Sequence, residues 1–330
     1  MIAVLVHQDG RTQAVDHVDP TWLQPGAAVR VWVDITTPTE ADGRLLSEVF
    51  GIHPLAIEDA MSAVQFPKVE RYGSLLYLVL HGIDARAREH RFTTRDVDFF
   101  LGANYLVTVH DGASRSLARV TALCGRHGGV LGEGPVALLH RIVDAMVDNY
   151  RPEVEAIEAR ITRLEEQAFT GHDDVVRPLL TLKRDLSMLR RIVIPQRDAV
   201  GRLSRREFEM ITDEMTYRFR DVFDQLVRIA DEAVIFQDRV NGILEAHLSA
   251  VSNRLNQVMK VLTVLSTIFM PLTLLTGMWG MNVAIPELPG GPAAQFWWLA
   301  GAMLAMTGGL KLESARISVK PAEAVEEADK

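Results

Sequence analysis

The sequence is poor in cysteine, since Cys124 is the only one among 330 residues. A single thiol cannot form an intrachain disulfide, and it excludes a zinc site built from several cysteines. The patterns that mark common catalytic centres are missing as well, because the chain contains no GxxxxGK, GxSxG or HExxH. We therefore expect no enzyme, and we interpret the isolated histidines as structural or solvated residues.

An excess of basic residues is also absent. The net charge is −8, which argues against a nucleic-acid partner. The N-terminal stretch MIAVLVHQDG has neither a charged leader nor a long apolar run, so it predicts a β-strand and no signal peptide.

Residues 1–134 alternate between strand and helix signals. The segment TPTE is typical of a capping box with Thr37 as N-cap, Pro38 at the first helical position and Glu40 at the third. A second helix is predicted to begin in HPLAIEDAM, and GAN is typical of a hairpin turn between the last two strands. This part is predicted to be an α+β domain whose strands lie in AVLV, VRVWVDI, LLYLVLHGI, DVDFFL and NYLVTVH.

From Pro135 onward the pattern changes to long amphipathic helices. One helix is predicted from VALLHRIV to EEQAF and another in DDVVRPLL to QRDAV, and the break at FTGHDD suggests an antiparallel hairpin. A third helix is predicted from about Thr212 to Met281, which would be about 100 Å long at 1.5 Å per residue.

The third helix carries an apolar seam in its first half. Steps of alternating four and three residues indicate a heptad pattern that needs partner helices. The seam consists of Val222, Leu226, Ile229, Ala233, Phe236, Val240 and Ile243.

The C-terminal part of the same helix, after Lys260, carries no charged residue. The stretch VLTVLSTIFMPLTLLTGMWGM has no charge over about 21 residues, enough to cross a hydrocarbon core of about 30 Å. A second span, AQFWWLAGAMLAMTGGL, follows a loop with Glu287 and no basic residue. Because Lys and Arg flank the other sides, the positive-inside rule places both termini in the cytoplasm.

A stripe of small, polar and methionine side chains runs along the first span. Such a stripe has two explanations: close packing of helices in the bilayer, or the lining of a pore formed by several chains. Its members are Asn256, Met259, Thr263, Ser266, Met270, Thr273 and Gly277.

The segment NQVMKVLTVLSTIFMPLTLLTGMWGMN closely resembles the signature region of the CorA family of magnesium transporters, which ends in Gly-Met-Asn. The similarity extends to YRFRDVFDQLVRIAD, HRIVDAMVDNY and HPLAIEDAM in the same order. The resemblance implies a homopentamer in the cell membrane. Each chain would have an α+β cytoplasmic domain (an α/β/α funnel), a long helical stalk and two C-terminal transmembrane helices.

Two departures from the family pattern stand out. Trp279 precedes Gly-Met-Asn where the family most often has Tyr, and the chain ends in the acidic PAEAVEEADK instead of a basic cluster. The composition of this tail is typical of disorder.

The resemblance implies roles for particular residues of the long helix. Gly280, Met281 and Asn282 correspond to the selectivity filter for Mg²⁺. Glu245 either rings the inner mouth or is an ordinary exposed carboxylate of the stalk. The implied pore lining comprises Glu245, Asn256, Met259, Leu262, Met270, Thr273 and Gly277, with Met259, Leu262 and Met270 as a hydrophobic gate.

The resemblance also implies that intracellular Mg²⁺, both cargo and regulator, binds between neighbouring cytoplasmic domains. Matching the motifs residue by residue places Glu58, Asp59, Asp144 and Asp221 at these regulatory sites. Without the resemblance, carboxylates on amphipathic helices are ordinary surface residues.

Three functions remain open: a CorA-type channel for Mg²⁺ that also passes Co²⁺ or Ni²⁺, a ZntB-like zinc transporter of the same superfamily, and a membrane-anchored coiled-coil scaffold. The expected segments are the α+β domain 1–134, helical hairpin 135–211, stalk 212–260, first span 261–281, external loop 282–294, second span 295–311 and cytoplasmic tail 312–330.

Overall fold

The computed structural model describes most of the chain. The described residues are 1–24, 26–62, 65–83, 92–126, 129–169, 175–281, 289, 291, 294 and 296–309. The chain divides into two compact units, Met1–Glu245 and Ala246–Lys330. The predicted tail 312–330 lies outside the described residues, as do Asn282 and most of the predicted external loop.

A seven-stranded mixed sheet forms the centre of the first unit, in the order β2-β1-β3-β7-β6-β5-β4. Strands β3 and β7 pair in parallel, and the other pairs among the described strands are antiparallel. The strands are β1 (Ile2–Gln8), β2 (Arg11–Val15), β3 (Arg30–Thr36), β4 (Lys68–Tyr72), β5 (Leu75–Ile83), β6 (Thr94–Leu101) and β7 (Tyr105–His110). The predicted hairpin between the last two strands is confirmed.

Helices cover both faces of the sheet. Successive side chains of a strand point to opposite faces, and those of β5 and β7 are buried almost without interruption. Helices α1 (Glu40–Glu48) and α2 (Pro54–Met61) pack on one face, against Val33, Ile35 and Val107. The other face carries α3 (Arg115–Arg126), α4 (Gly129–Gly132) and α5 (Pro135–Asp148), which pack against Trp32 and Phe99. The predicted α+β sandwich is therefore confirmed.

The predicted start of α1 is wrong by two residues. Thr39, not Thr37, is the N-cap, and Asp42 occupies the third helical position, where its Oδ2 accepts the backbone N–H of Thr39 at 2.7 Å. Thr37 has a φ of 53°, so the backbone turns there before the helix can begin. Pro38 therefore precedes the N-cap, and Glu40 is the first helical residue.

The long helix predicted from Val136 to Phe169 is interrupted. Helix α5 ends at Asp148 and α6 (Tyr150–Phe169) follows after a turn at Asn149. The Asn149 side chain donates a hydrogen bond to Ser116 Oγ at 2.9 Å. Pro152 lies in the first turn of α6, and in a continuous helix its missing N–H would leave the Asp148 carbonyl unpaired. The sequence therefore held a signal for this break that the prediction overlooked.

Two further helices confirm the rest of the helical prediction. Helix α7 (Val176–Leu203) follows α6, and α8 (Asp213–Trp279) continues for 67 residues. The whole predicted seam of α8 is buried, each member less than 9% exposed, in one cluster with side chains of α6 and α7.

Polar contacts fix the register of these three helices. Arg160 of α6 and Asp185 of α7 form a half-buried ion pair of 2.8 Å. Arg239 of α8 lies 2.7 Å from Glu165 of α6, and Lys183 of α7 donates to Asn241 of α8 at 3.0 Å. The seam thus finds its partner helices within the same chain.

The second unit contains the apolar end of α8 and a helical segment at 296–309. Among the described residues, α8 is the one helix long and apolar enough to cross a membrane, and none of its most apolar window is buried. The second span therefore stays a prediction, since the bounds 295 and 310–311 lie outside the described residues. Phe296, Trp297 and Trp298 are exposed at its start.

One buried carboxylate stands out within the sheet. Asp98 of β6 is 4% exposed, and its Oδ1 accepts the Tyr77 hydroxyl hydrogen at 2.5 Å. Burial raises the pKa of Asp98 to about 7, although the hydrogen bond from Tyr77 acts in the opposite direction.

We predict that this carboxylate makes stability pH-dependent. The unfolded chain releases the Asp98 proton near pH 4 and the native chain only near pH 7, so the native state holds more protons in between. The free energy of unfolding should therefore fall as pH rises through this window. Thermal unfolding in detergent with EDTA, between pH 4.5 and 8, should show a smaller fall for Asp98→Asn. An identical pH profile for the variant would contradict the assignment.

Candidate functional site

The first predicted regulatory carboxylates lie on α2. Glu58 is exposed, whereas Asp59 is half-buried and lies 2.5 Å from Lys68 Nζ. Lys68 also lies 3.3 Å from Glu70, and both carboxylates raise its pKa against the effect of burial. Asp59 is thus already neutralised in part by an ammonium group from β4, and a cation binding at Asp59 would share it with Lys68.

The other two predicted carboxylates lie close to each other. Asp144 is half-buried on α5, and its pKa is raised by burial and then by the negative charges of Asp148 and Asp221. His140, one turn earlier on α5, has its pKa lowered by burial. Asp221 is exposed on α8 and accepts a hydrogen bond from Gln225 at 3.3 Å. The negative charges of Asp148 and Asp221 thus disfavour the ionised form of Asp144.

Within one chain the two pairs of carboxylates are separated by the sheet. Helix α2 packs on one face, and α5 and α8 belong to the cluster on the other. Among the described residues there is no group of three or more His, Cys, Asp or Glu side chains close enough to hold a metal ion.

Three neighbours of these carboxylates were missed by the sequence analysis: Lys68, His140 and Asp148. The last two could have been found from spacing, since they lie four residues before and after Asp144 and so share its helix face. Lys68 could not, because only the packing of β4 beside α2 brings it to Asp59.

The predicted pore stripe lies on an exposed helix surface. Met259, Leu262 and Met270 are 59%, 55% and 78% exposed. Asn256, Thr273 and Gly277 are exposed in the same segment, and so is Glu245 at the end of the first unit. The methionine and leucine side chains among them present apolar surface to the outside of the helix.

The hydroxyl groups along this segment bond to their own helix. Thr263 donates to Met259 O at 2.8 Å, and Thr273 donates to Phe269 O at 2.7 Å. Transfer of a hydroxyl group that is bonded in this way into an apolar medium costs little free energy. Its oxygen lone pairs remain available to a water molecule.

The predicted filter begins where α8 ends. The Gly280 amide still donates to Thr276 O at 2.9 Å, and a Cβ at Gly280 would lie 3.2 Å from that same oxygen. Met281 is 59% exposed. A larger residue at position 280 would therefore push against the last turn, whereas Asn282 lies outside the described residues.

The fold and the apolar segment together define a membrane protein with a mixed-sheet domain. The family model described as "CorA-like Mg2+ transporter protein" matches residues 28–312. The chain is 35% identical over 261 residues to a cobalt/magnesium transport protein CorA of Thermotoga maritima, covering 78% of this chain and 74% of that one. It is 24% identical to a zinc transport protein ZntB of Cronobacter sakazakii, covering 79% and 78%.

A solved structure shares the fold. The CorA magnesium transporter of Methanocaldococcus jannaschii matches with a TM-score of 0.81 at 21% identity, covering 94% of this chain and 96% of that chain. The family match spans most of the sequence, and the chain therefore belongs to the CorA family.

Proposed function

We propose that the protein is a channel for Mg²⁺ uptake across the cell membrane and that Co²⁺ and Ni²⁺ also pass. The single observation that carries this proposal is the charge-free end of α8, which leads to Gly-Met-Asn in a member of the CorA family. Two spans cannot enclose a channel, so a homo-oligomer is required, and the resemblance favours a pentamer. Both termini would lie in the cytoplasm.

Selection of Mg²⁺ would occur at the outer end of α8. Mg²⁺ prefers oxygen ligands and gives up its water reluctantly. A ring of Asn282 side chains, with the carbonyl oxygens of Gly280 and Met281, offers polar atoms to the water shell of the ion without a cage of negative charge. Binding of this kind is weak enough to release the ion, as conduction requires.

The membrane potential supplies the driving force. A divalent cation gains about 4.6 kcal/mol per 100 mV, because each elementary charge gains about 2.3 kcal/mol. Because about 1.4 kcal/mol corresponds to a tenfold ratio of concentrations, this energy can sustain a more than thousandfold ratio of Mg²⁺ across the membrane. Uptake therefore needs no ATP.

Met259 and Met270 of the stripe, together with Leu262 beside it, would close the pore. Rings of Met259, Leu262 and Met270 exclude water when they come together, and a dry constriction is a barrier to a hydrated ion. Their large exposure in the single chain supports a role in contacts between chains.

Cytoplasmic Mg²⁺ would control this gate. Asp148 and Asp221 both repel the ionised form of Asp144 within a chain. The described part of one chain has no group of three such side chains close enough to hold a metal ion, so a site at Asp144 would need donors from a neighbouring chain. A second site would join Asp59 of one chain to Asp221 of the next, with Glu58 nearby. Bound Mg²⁺ offsets the repulsion and favours the closed state, and its loss would let the domains separate.

The test is reconstitution of the purified protein in liposomes with fluorescent reporters for Mg²⁺, Co²⁺, Ni²⁺ and Zn²⁺. The proposal expects Mg²⁺ flux that increases with a negative internal potential. Flux of Zn²⁺ alone would favour the ZntB-like alternative, to which the 24% identical relative gives some support. If none of the four ions crosses the membrane, the result would favour the non-conducting scaffold.

The filter generates the first prediction on transport. Asn282→Ala should abolish Mg²⁺ uptake because it removes the polar ring, and Gly280→Ala should do so because the new Cβ meets Thr276 O. Leu275→Ala, which lies more than one helical turn before the filter and off the stripe, is the matched control and should keep uptake. All three variants should assemble as wild type in size-exclusion chromatography. Wild-type uptake by an assembled Asn282→Ala protein would refute the filter assignment.

The gate generates the second prediction on transport. Leu262→Asn or Met270→Ser should wet the constriction and raise the leak of Mg²⁺ at high internal Mg²⁺ by about tenfold, equivalent to about 1.4 kcal/mol of barrier. Leu265→Ser, off the stripe, should leave the leak unchanged. Equal leaks in all three variants would show that the stripe does not face the pore.

Regulation generates the third. The double variant Asp59→Asn with Asp221→Asn should be inhibited less by millimolar internal Mg²⁺, and Mg²⁺ should protect its cytoplasmic domain less from proteolysis. The cause is the loss of the repulsion that bound Mg²⁺ offsets.

The control for regulation removes the same charge elsewhere. Asp16→Asn with Asp231→Asn neutralises two exposed carboxylates outside the proposed site, one on the loop after β2 and one on α8. This control should keep wild-type inhibition and protection. If the Asp59/Asp221 variant behaves like the control, sensing does not depend on these residues.

A further inference from the structure

A cavity of about 590 Å³ lies at the ends of three central strands of the sheet and has no role in the proposed function. It is bounded by the C-terminal end of α2, by the start of β6 and by the residues that follow β3 and β7. Its size falls in the range of about 300–1,000 Å³ that is typical of small-molecule sites.

The walls of this cavity combine an apolar surface with a few carboxylates. Ala60 and Met61 of α2 and Val109 of β7 supply the apolar part. Asp96, Asp98 and Asp111 supply negative charge, and Arg95 adds one positive charge. Small-molecule sites commonly have this composition, in which apolar surface supplies affinity and a few polar atoms fix orientation.

The three carboxylates differ in how far they are already bonded. Asp111 lies 3.4 Å from Arg95 Nη1, and Asp96 Oδ2 accepts the Gln65 amide at 2.9 Å. Asp98 Oδ1 accepts the Tyr77 hydroxyl, whereas Asp98 Oδ2 has no hydrogen-bond donor among the described residues. Asp98 is 96% buried but lines the cavity, so its second oxygen can accept a hydrogen bond from a ligand there.

We propose that this cavity binds a small primary alkylammonium cation whose N–H groups donate to Asp98 Oδ2. A charge-assisted hydrogen bond of this kind is about twice as strong as a neutral one. The alkyl chain would lie against Ala60, Met61 and Val109. An ammonium ligand thus fits both halves of the lining.

A metal ion fits less well. Divalent cations take six or more oxygen ligands, but the described residues offer no group of three acidic or histidine side chains close enough to coordinate one. The apolar wall formed by α2 would also face a metal ion without supplying any ligand.

The occupied cavity would contact the helix that carries Glu58 and Asp59. A chain of contacts runs from Asp98 through Tyr77, whose ring lies 5.4 Å from Lys68 Nζ, to the Lys68–Asp59 pair. An organic cation could therefore alter Mg²⁺ sensing at Asp59. This consequence rests on the proposed function, whereas binding to the cavity does not.

The test is calorimetry on the full-length protein in detergent with EDTA, using n-butylammonium as the probe and 1-butanol as its uncharged counterpart. We expect saturable binding of n-butylammonium and at least tenfold weaker binding of 1-butanol. Asp98→Asn should weaken n-butylammonium binding at least tenfold, and Asp16→Asn should leave it unchanged. Met61→Trp, which fills the cavity, should weaken the binding of both ligands and serves if Asp98→Asn fails to fold.

Several outcomes would overturn the assignment. These are no saturable binding of n-butylammonium, equal affinity for 1-butanol, or unchanged binding in a folded Asp98→Asn variant. Without EDTA, Mg²⁺ binding that is lost in Asp98→Asn would reassign the cavity to a hydrated ion. None of these measurements involves transport, so failure here would leave the channel proposal intact.

Discussion

The burial of apolar surface along α8 is the constraint on which the rest of the structure depends. Up to Ile243 its apolar residues form a narrow seam, and α6 and α7 of the same chain cover that seam completely. Between Lys260 and Gly280 no charged residue remains and the most apolar window is unburied. Exposed apolar surface of this extent is unfavourable in water, so lipid or another chain must cover it. One helix thus extends from the mixed-sheet unit into a segment that is long and apolar enough to cross a membrane.

The mixed-sheet unit contains charges that are costly to bring together. Beyond the effect of burial, Asp148 and Asp221 both raise the pKa of Asp144, and Asp59 is paired with Lys68. Bringing like charges together opposes the compact state unless a cation offsets them. The proposed control by cytoplasmic Mg²⁺ depends on this repulsion.

Patterns that repeat over many residues could be predicted from the sequence. The α8 seam, the hairpin at Gly102–Asn104 and the strands rich in Val and Phe were confirmed because burial periodicity dominates there. The errors arose at Thr37–Thr39, where the backbone turns before the helix begins, and at Asn149, where Pro152 in the next turn prevents a continuous helix. For the site, the resemblance supplied residues of α2, α5 and α8, but the Lys68–Asp59 pair depends on β4, which the sequence pattern did not reveal. The cavity beside Asp98 arises from four separate segments and has no signature in any one of them.

The most direct test of the account is water accessibility along the membrane part of α8 during flux. The single native cysteine is buried, so an introduced thiol reports without background. Cysteines at Asn256, Thr273 and Gly277 should react with a charged thiol reagent added from water, and the reaction should block Mg²⁺ flux. Cysteines at Leu265 and Leu272 should remain unreactive or leave the flux unchanged. Equal reactivity on all faces, or block only from Leu265 and Leu272, would contradict a pore lined by this stripe.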